Sequence, residues 1–412
     1  MKNFKDSGIE WLGEIPQDWE IKPLKAVFNQ RNEQNTNLKL CTILSLIKDI
    51  GVVPYEEKGN IGNKSKEDLK NYKIARINDL VLNKMNAAIG SLGVSAYNGL
   101  VSPIYLVFYI NNPKYLMSYY SYLFQIKSVQ KFLKIYAYGI MEIRESIDYL
   151  DFKKMSLPVP PLKEQEQIAN FLDEKCEQIA NFIEKKEKLI SLLKEQKQVL
   201  INETITKGLD KNVNFKDSGI EWLGEIPQHW RIVKLKHIAS LRNQKSNNID
   251  FRIGLENIES KTGKFIPSSE VVFEEDGIGF KKGDILFGKL RPYLAKVFLT
   301  DRDGICVSEF LVLKIKSESN KFIKFLMLSS LFIDIVDSST YGTKMPRANW
   351  EFIGNLKIPL PPLKEQEQIA NFLDEKCEKI DLLIEKTKKQ IKLIKEYKTT
   401  FINQAVCGRI DL

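Results

Sequence analysis

Two stretches of this chain carry the same apolar seam. Across residues 162–206, Ile168, Leu172, Ile179, Ile183, Ile190, Leu193 and Leu200 recur on a 3.5-residue period among charged residues. Across residues 363–406, Ile369, Leu373, Ile380, Ile384, Ile391, Ile394 and Phe401 do the same, each 201 positions after its counterpart. This is the coiled-coil period. Neither stretch contains Pro or Gly, so each predicts one helix of roughly 65 Å at 1.5 Å per residue. Pro160-Pro161 and Pro361-Pro362 mark the starts, with Glu164, Glu166, Glu365 and Glu367 placed favourably against the helix dipole. Lys207-Gly208 and Gly408-Arg409 mark the stops. Each seam needs cover and each is the natural partner of the other, which predicts an antiparallel coiled coil.

Upstream of each helix the pattern changes to short apolar runs. Residues 79–84 and 284–289 read as matching strands. Val101-Ser102 followed by 104–110 matches Val307-Ser308 followed by 310–315. Apolar helices follow near 115–133 and 322–336. Next come Tyr138-Gly139 and Tyr341-Gly342, each with an arginine six residues after the tyrosine, at Arg144 and Arg347. The blocks close at Leu157-Pro158 and Ile358-Pro359. Mixed strand and helix signals in one order, used twice, predict an α+β fold.

Near-identical segments frame these blocks. Residues 3–19 read NFKDSGIEWLGEIPQDW and residues 214–230 read NFKDSGIEWLGEIPQHW, differing only at Asp18/His229. Residues 160–177 and 361–378 both read PPLKEQEQIANFLDEKCE. A repeat of about 200 residues is too long for a solenoid and indicates two tandem units. The expected domains are a motif (1–19), a variable block (20–157), a long-helix segment (158–213), the second motif (214–230), a second block (231–358) and a second long-helix segment (359–412). The fold class is therefore α+β in two pseudo-symmetric halves, each a mixed α/β domain followed by a long helix. The second motif directly follows the first long helix. By pseudo-symmetry the first motif should dock at the end of the second long helix, bringing the chain ends together. Trp11 and Trp222 then read better as internal packing than as anchors for a partner.

Net charge is +9, and its location carries more than its size. Residues 20–157 hold 19 cations against 12 carboxylates, a net +7, and residues 231–358 hold 21 against 15, a net +6. The remainder is mildly acidic. Two basic blocks fit a polyanionic partner, nucleic acid first. Lys2, Lys5 and Asp6 stand where a secretory signal would be apolar, and no run is long enough to span a bilayer, so a cytoplasmic protein is expected. The five cysteines form no CxxC and no Cys/His cluster, so no metal site is expected.

The two SGIEWLGEIPQ motifs, the PVPPLKEQEQI and PLPPLKEQEQI helix starts, and FKKGDILFGKLRPYLAKV in the second block resemble the specificity subunit of type I restriction–modification systems, over essentially the whole chain. The resemblance implies that the variable blocks are target recognition domains, each reading one half of a split site in double-stranded DNA. It implies that the helices form an antiparallel coil which spaces them and docks modification (methyltransferase) subunits, two per chain. Adenine methylation and ATP-driven cleavage would belong to those and to restriction subunits, leaving this chain non-catalytic and without cofactors. The first block departs from the fuller pattern: Lys84-Met-Asn86-Ala-Ala stands where the second has Lys289-Leu-Arg291-Pro-Tyr293.

Catalytic signatures are missing. There is no GxxxxGK[ST] loop, the glycines from Gly277 to Gly283 lack GxGxxG spacing, and no amino-methyltransferase signature occurs. A fused methyltransferase and a coiled-coil scaffold without DNA specificity are the rival readings. DNA reading needs cations for phosphates and Arg, Lys, Asn or Gln for base edges. The candidates are Lys84, Asn86, Tyr138 and Arg144 in the first block, and Lys289, Arg291, Tyr293, Lys344, Arg347 and Asn349 in the second. Arg144 and Arg347 fit equally as salt-bridge braces of the fold. Asn86 and Arg291 occupy matching positions yet differ in type, as readers of different half-sites should. On the coil, Gln167, Asn170 and Phe171, with Gln368, Asn371 and Phe372, are the candidate surface for partner subunits.

Overall fold

The computed structural model describes residues 3–38, 40–59, 69–138, 145–246, 251–267, 277–340 and 345–412. The chain divides into two units, Met1–Lys185 with Gln390–Leu412, and Lys186–Lys389. Each boundary falls inside a long helix, so each unit owns one end of both.

At the centre of each unit lies a four-stranded antiparallel sheet of the same order. In the first the order is Asn29–Gln30, Tyr105–Tyr109, Leu80–Asn83, Leu92–Val94; in the second it is Ala239–Arg242, Phe310–Ile315, Ile285–Gly288, Val297–Leu299. These strands are largely apolar on both faces because helices cover one face and a further small β layer the other. Each expected apolar helix is instead two helices: Met117–Gln125 then Lys127–Phe132, and Asn320–Leu328 then Ser330–Ser338. Ile126 (φ −65°, ψ 128°) and Ser329 (φ −64°, ψ 142°) are extended and break them. Ser329 donates to the Leu326 carbonyl at 2.6 Å and accepts from the Phe332 N–H at 3.2 Å, ending one helix and capping the next.

The two ends of each variable block pair with one another. Glu20–Pro23 is antiparallel to Ser156–Val159, and Arg231–Lys234 to Lys357–Leu360. Entry and exit of each block thus lie side by side.

The long helices run over Leu162–Lys207 and Leu363–Val406, as the seams predict. In the first unit the start of one packs on the end of the other: Ile168 and Leu172 share a core with Ile402 and Val406, and the rings of Phe171 and Phe401 lie 5.3 Å apart. In the second unit Ile201 and Ile205 share a core with Ile369 and Leu373, and Lys197 Nζ meets Asp381 at 2.8 Å. The pairing is antiparallel in both.

Each short motif is a hairpin closed by a buried tryptophan. Trp19 donates its indole N–H to Glu164 at 2.8 Å, and Trp230 to Glu365 at 3.1 Å. Glu164 and Glu365 therefore clamp the motifs as well as facing the helix dipoles. Gly408 (φ +70°) packs beneath Trp19 and Gly208 (φ +72°) beneath Trp230. An added Cβ would come within 2.8 Å and 3.2 Å of those rings. Arg409 donates to the Leu12 carbonyl at 2.9 Å, so the first motif does sit at the end of the second long helix. Trp11 packs beside Phe132, and Trp222 against the second unit's core.

Candidate nucleic-acid interface

In each domain the candidate loops leave a strand whose entry is fixed by a buried aspartate. Asp79 accepts from Arg31 at 2.7 and 3.0 Å, and Asp284 from Arg242 at 2.9 and 3.4 Å. Each aspartate also accepts the backbone N–H three residues before it, Arg76 or Lys281, at 2.8 Å. A buried charge must be paired and hydrogen-bonded to be tolerated, and both are. Sequence reasoning missed this brace. The arginines lie 211 positions apart and the aspartates 205, so a single repeat offset hides the pair.

Beyond the strand the two loops share one construction. Asn83 N–H donates to Ser91 O at 3.1 Å, and Gly288 N–H to Lys296 O at 2.9 Å. Each bond spans a one-turn 3-10 helix, Ala87–Ile89 preceded by Asn86 and Pro292–Leu294 preceded by Arg291, neither side chain capping it. Asn86 and Arg291 are thus structural equivalents. Both are exposed, and neither side chain bonds to another described residue. Arg291 adopts φ +53°, a left-handed conformation that costs a non-glycine residue about 1 kcal/mol or more. Its N–H is held by Pro346 O at 2.8 Å, and its carbonyl accepts from Leu294 at 2.9 Å. The backbone is strained and tied down while the guanidinium bonds to no described residue. Tyr293 is exposed beside it and Lys289 is half-buried at the strand end.

A second segment runs alongside each loop. Ile147 N–H donates to Lys84 O, and Ala348 N–H to Lys289 O, both at 3.0 Å. This register makes Ser146, not Arg144, the counterpart of Arg347. Counting six residues from the tyrosine fails because Ile147 lies nine positions after Tyr138 whereas Ala348 lies seven after Tyr341. Arg144 and Lys344 lie outside the described residues. Arg347 is exposed but paired with Glu309 at 2.8 and 3.2 Å, the bracing role open to it from sequence. Asn349 accepts from Phe352 N–H at 2.8 Å and caps helix Trp350–Asn355. Asp148 caps Tyr149–Phe152 in the same way. Tyr138 is exposed on a two-residue strand opposite Ser146. Lys154, and to a smaller extent the Tyr138 hydroxyl, hold the Asp151 carboxyl below its usual range.

Lys84 is half-buried near Lys73, which donates to Tyr105 O at 2.7 Å. Burial first, and then the Lys84 charge, push the Lys73 ammonium pKa down. Two crowded cations make a site that a phosphate would relieve.

On the coil, Gln167, Asn170, Gln368 and Asn371 are exposed, whereas Phe171 and Phe372 are half-buried against their own units. Unanticipated are Gln165 and Gln366, both fully buried. Gln165 accepts from Leu116 N–H at 2.8 Å and donates to Pro160 O at 2.8 Å; Gln366 accepts from Ser319 N–H at 3.0 Å and donates to Pro361 O at 2.9 Å. They fasten helix to domain. Gln165 lies three residues before Ile168, in phase with the seam, and that was the available signal.

Among the described residues no group of three or more His, Cys, Asp or Glu gathers as a metal site, and no helix is long and apolar enough to cross a membrane. Residues 16–200 and 227–393 match the family model described as the type I restriction modification DNA specificity domain. A Methanocaldococcus jannaschii protein described as the type I restriction enzyme MjaX specificity subunit is 27% identical over 454 residues, covering 99% of this chain and 97% of its own. The MjaVIII specificity subunit of the same organism is 29% identical over 314 residues, 70% of each chain. A solved structure from work on assembly and conformational transition of the type I R-M system has TM-score 0.73 at 14% identity, covering 96% of this chain and 99% of that one. The HsdS subunit from Thermoanaerobacter tengcongensis has TM-score 0.58 at 14% identity, covering 96% and 98%. With both variable blocks inside the matched segments and the doubled sheet-plus-helix plan in place, the chain belongs to the type I restriction–modification specificity-subunit family.

Proposed function

We propose that this chain reads a two-part sequence in double-stranded DNA for a type I restriction–modification complex, one part through each recognition domain. The observation that carries this is the pair Asn86 and Arg291: equivalent in fold, exposed, unpartnered among the described residues, and different in hydrogen-bonding type. Asparagine and arginine are base-edge readers in the major groove. Lys84, Lys289, Tyr138 and Tyr293 are the phosphate and sugar contacts of this reading, and Arg144 and Lys344 join them as candidates from the sequence alone. Arg347 and Asn349 serve the frame first, and any DNA contact they make comes through donors left over from it. Reading two major-groove segments from one face favours centres about one helical turn, roughly 10 bp, apart. The exposed coil residues Gln167, Asn170, Gln368 and Asn371, with Phe171 and Phe372, form the docking surface for two modification subunits. Those subunits methylate adenine, and restriction subunits joined through the complex cleave with ATP. This chain supplies no catalytic residue and works in the cytoplasm.

Methylome sequencing of the host with and without the gene tests this. The expected result is one split adenine-methylated motif that disappears on deletion. Exchange of residues 20–157 should then alter one half of the motif and spare the other. Methylation unchanged by deletion, or both halves changing together, would sink the reading.

A further inference from the structure

A cavity of about 440 Å³ opens beside Asn86 in the first recognition domain. It is lined by the strand Leu44–Ile47, which pairs with Gly51–Pro54, by Tyr105 and Asn83, and by the loop after the strand Leu80–Asn83. Three side chains on its rim are apolar yet about half exposed: Met85 at 47%, Ile89 at 51% and Ile104 at 49%. Among the described residues no aspartate or glutamate lines it, while Lys48 and Lys58 do, the Lys58 ammonium lying over the Tyr55 ring. The site is therefore apolar at its rim, and beside it stands the Asn86 carboxamide, which bonds to no described residue.

Resting on the DNA-recognition reading above, we propose that the first recognition domain reads an A·T base pair, the Asn86 carboxamide meeting adenine and the thymine 5-methyl group seating against Met85, Ile89 and Ile104. Only thymine presents an apolar group in the major groove, and Asn matches the adenine N6/N7 edge bidentately. A G·C pair offers the apolar rim nothing. Exposed apolar clusters of this kind gain by being covered. The equivalent point of the second domain carries Arg291 instead, whose fork matches guanine O6/N7. The two halves of the target should thus differ in sensitivity to the thymine methyl.

The test uses the assembled complex with its modification subunits, on duplexes carrying the methylated motif. Each thymine is replaced in turn by deoxyuridine, which removes only the methyl. At one thymine of the half-site assigned to residues 20–157, binding should weaken about fourfold, the worth of one buried methyl. Met85→Ala and Ile104→Ala should shrink that difference without altering recognition of the other half-site, which also reports that the variants fold. Met85→Leu, which keeps the apolar cover, should retain it. Asn86→Ala should relax the adenine of the same pair. The proposal is overturned if no thymine of that half-site responds, if the half-site holds only G·C pairs, or if the uridine effect keeps its size in all the alanine variants. In those cases the split motif itself would still stand. Loss of the motif altogether would remove the functional reading instead.

Discussion

Trp19 and Trp230 stand at the same point of two copies of one fold and do the same thing. Asn86 and Arg291 also stand at the same point and do different things. Each tryptophan is buried, donates to the first-turn glutamate of a long helix and packs on the glycine that ends the other. Its chemistry is set entirely by its own chain, so both halves use the same residue. The asparagine and the arginine are exposed, and neither side chain bonds to another described residue. Their chemistry is left open by the fold, and there the halves part company. Asp79 and Asp284 follow the first pattern, with matching arginine braces. A duplicated chain can keep a frame and vary a reading surface only if contacts within the frame do not depend on what is read.

The largest effects should come from breaking the frame. Trp19→Ala and Trp230→Ala should each cost about 3–5 kcal/mol of stability, the range for emptying a buried aromatic site. Chemical denaturation should find the two losses similar. A large loss for one and none for the other would mean that the two clamps are not equivalent.

Next comes the reading position. Arg291→Ala should cost about 1–3 kcal/mol on the specific site and relax a single base pair of the second half-site. Arg347→Ala, which removes the partner of Glu309, should instead act on stability and leave base preference unchanged. Binding by the assembled complex to single-base variants of the target distinguishes them. If Arg347→Ala relaxed a position and Arg291→Ala did not, the reader and the brace would have to be exchanged.

Helix capping should show a smaller, paired effect. Asp148→Ala and Asn349→Ala each remove a side chain that accepts first-turn N–H groups, and each should cost about 1 kcal/mol of stability. Asn349→Asp preserves the acceptor and should restore stability. If it also changed target choice, the carboxamide of Asn349 would be a reader as well as a cap.

Much of this comparison was legible in the sequence, and its gaps have physical causes. The long helices announce themselves because a 3.5-residue period persists over many turns. The match of Asn86 to Arg291 survives because the strand before each holds a fixed 205-residue offset. Offsets change where loops absorb insertions: two extra residues after Tyr138 displaced Arg144 from the position of Arg347. Insertions between Arg31 and Asp79, relative to Arg242 and Asp284, hid the brace. The breaks at Ile126 and Ser329 escaped because no Pro or Gly marks either one. Gln165 escaped because a buried glutamine in seam phase looks like an interruption until its amide is seen to meet backbone on both sides.

The smallest effect sharpens the contrast between reading and positioning. Lys84 and Lys289 match in sequence and in backbone contact, each accepting an N–H from the returning segment. Neither ammonium bonds to another described residue. A phosphate contact carries no base information, so Lys84→Gln should weaken binding alike on the target and on its single-base variants. It should also lower the slope of log affinity against log salt by about one unit. Over a fourfold change in salt that is roughly a fourfold difference. Lys73 gives a second readout. Its pKa is held down partly by Lys84, so in Lys84→Gln the Lys73 pKa should move back up, while burial still keeps it below the usual lysine value. Titration of the Lys73 side chain by NMR would follow this. Selective weakening on the target with an unchanged salt slope would move Lys84 from the positioning group to the reading group, and the first domain would then read more than one base pair from this strand end.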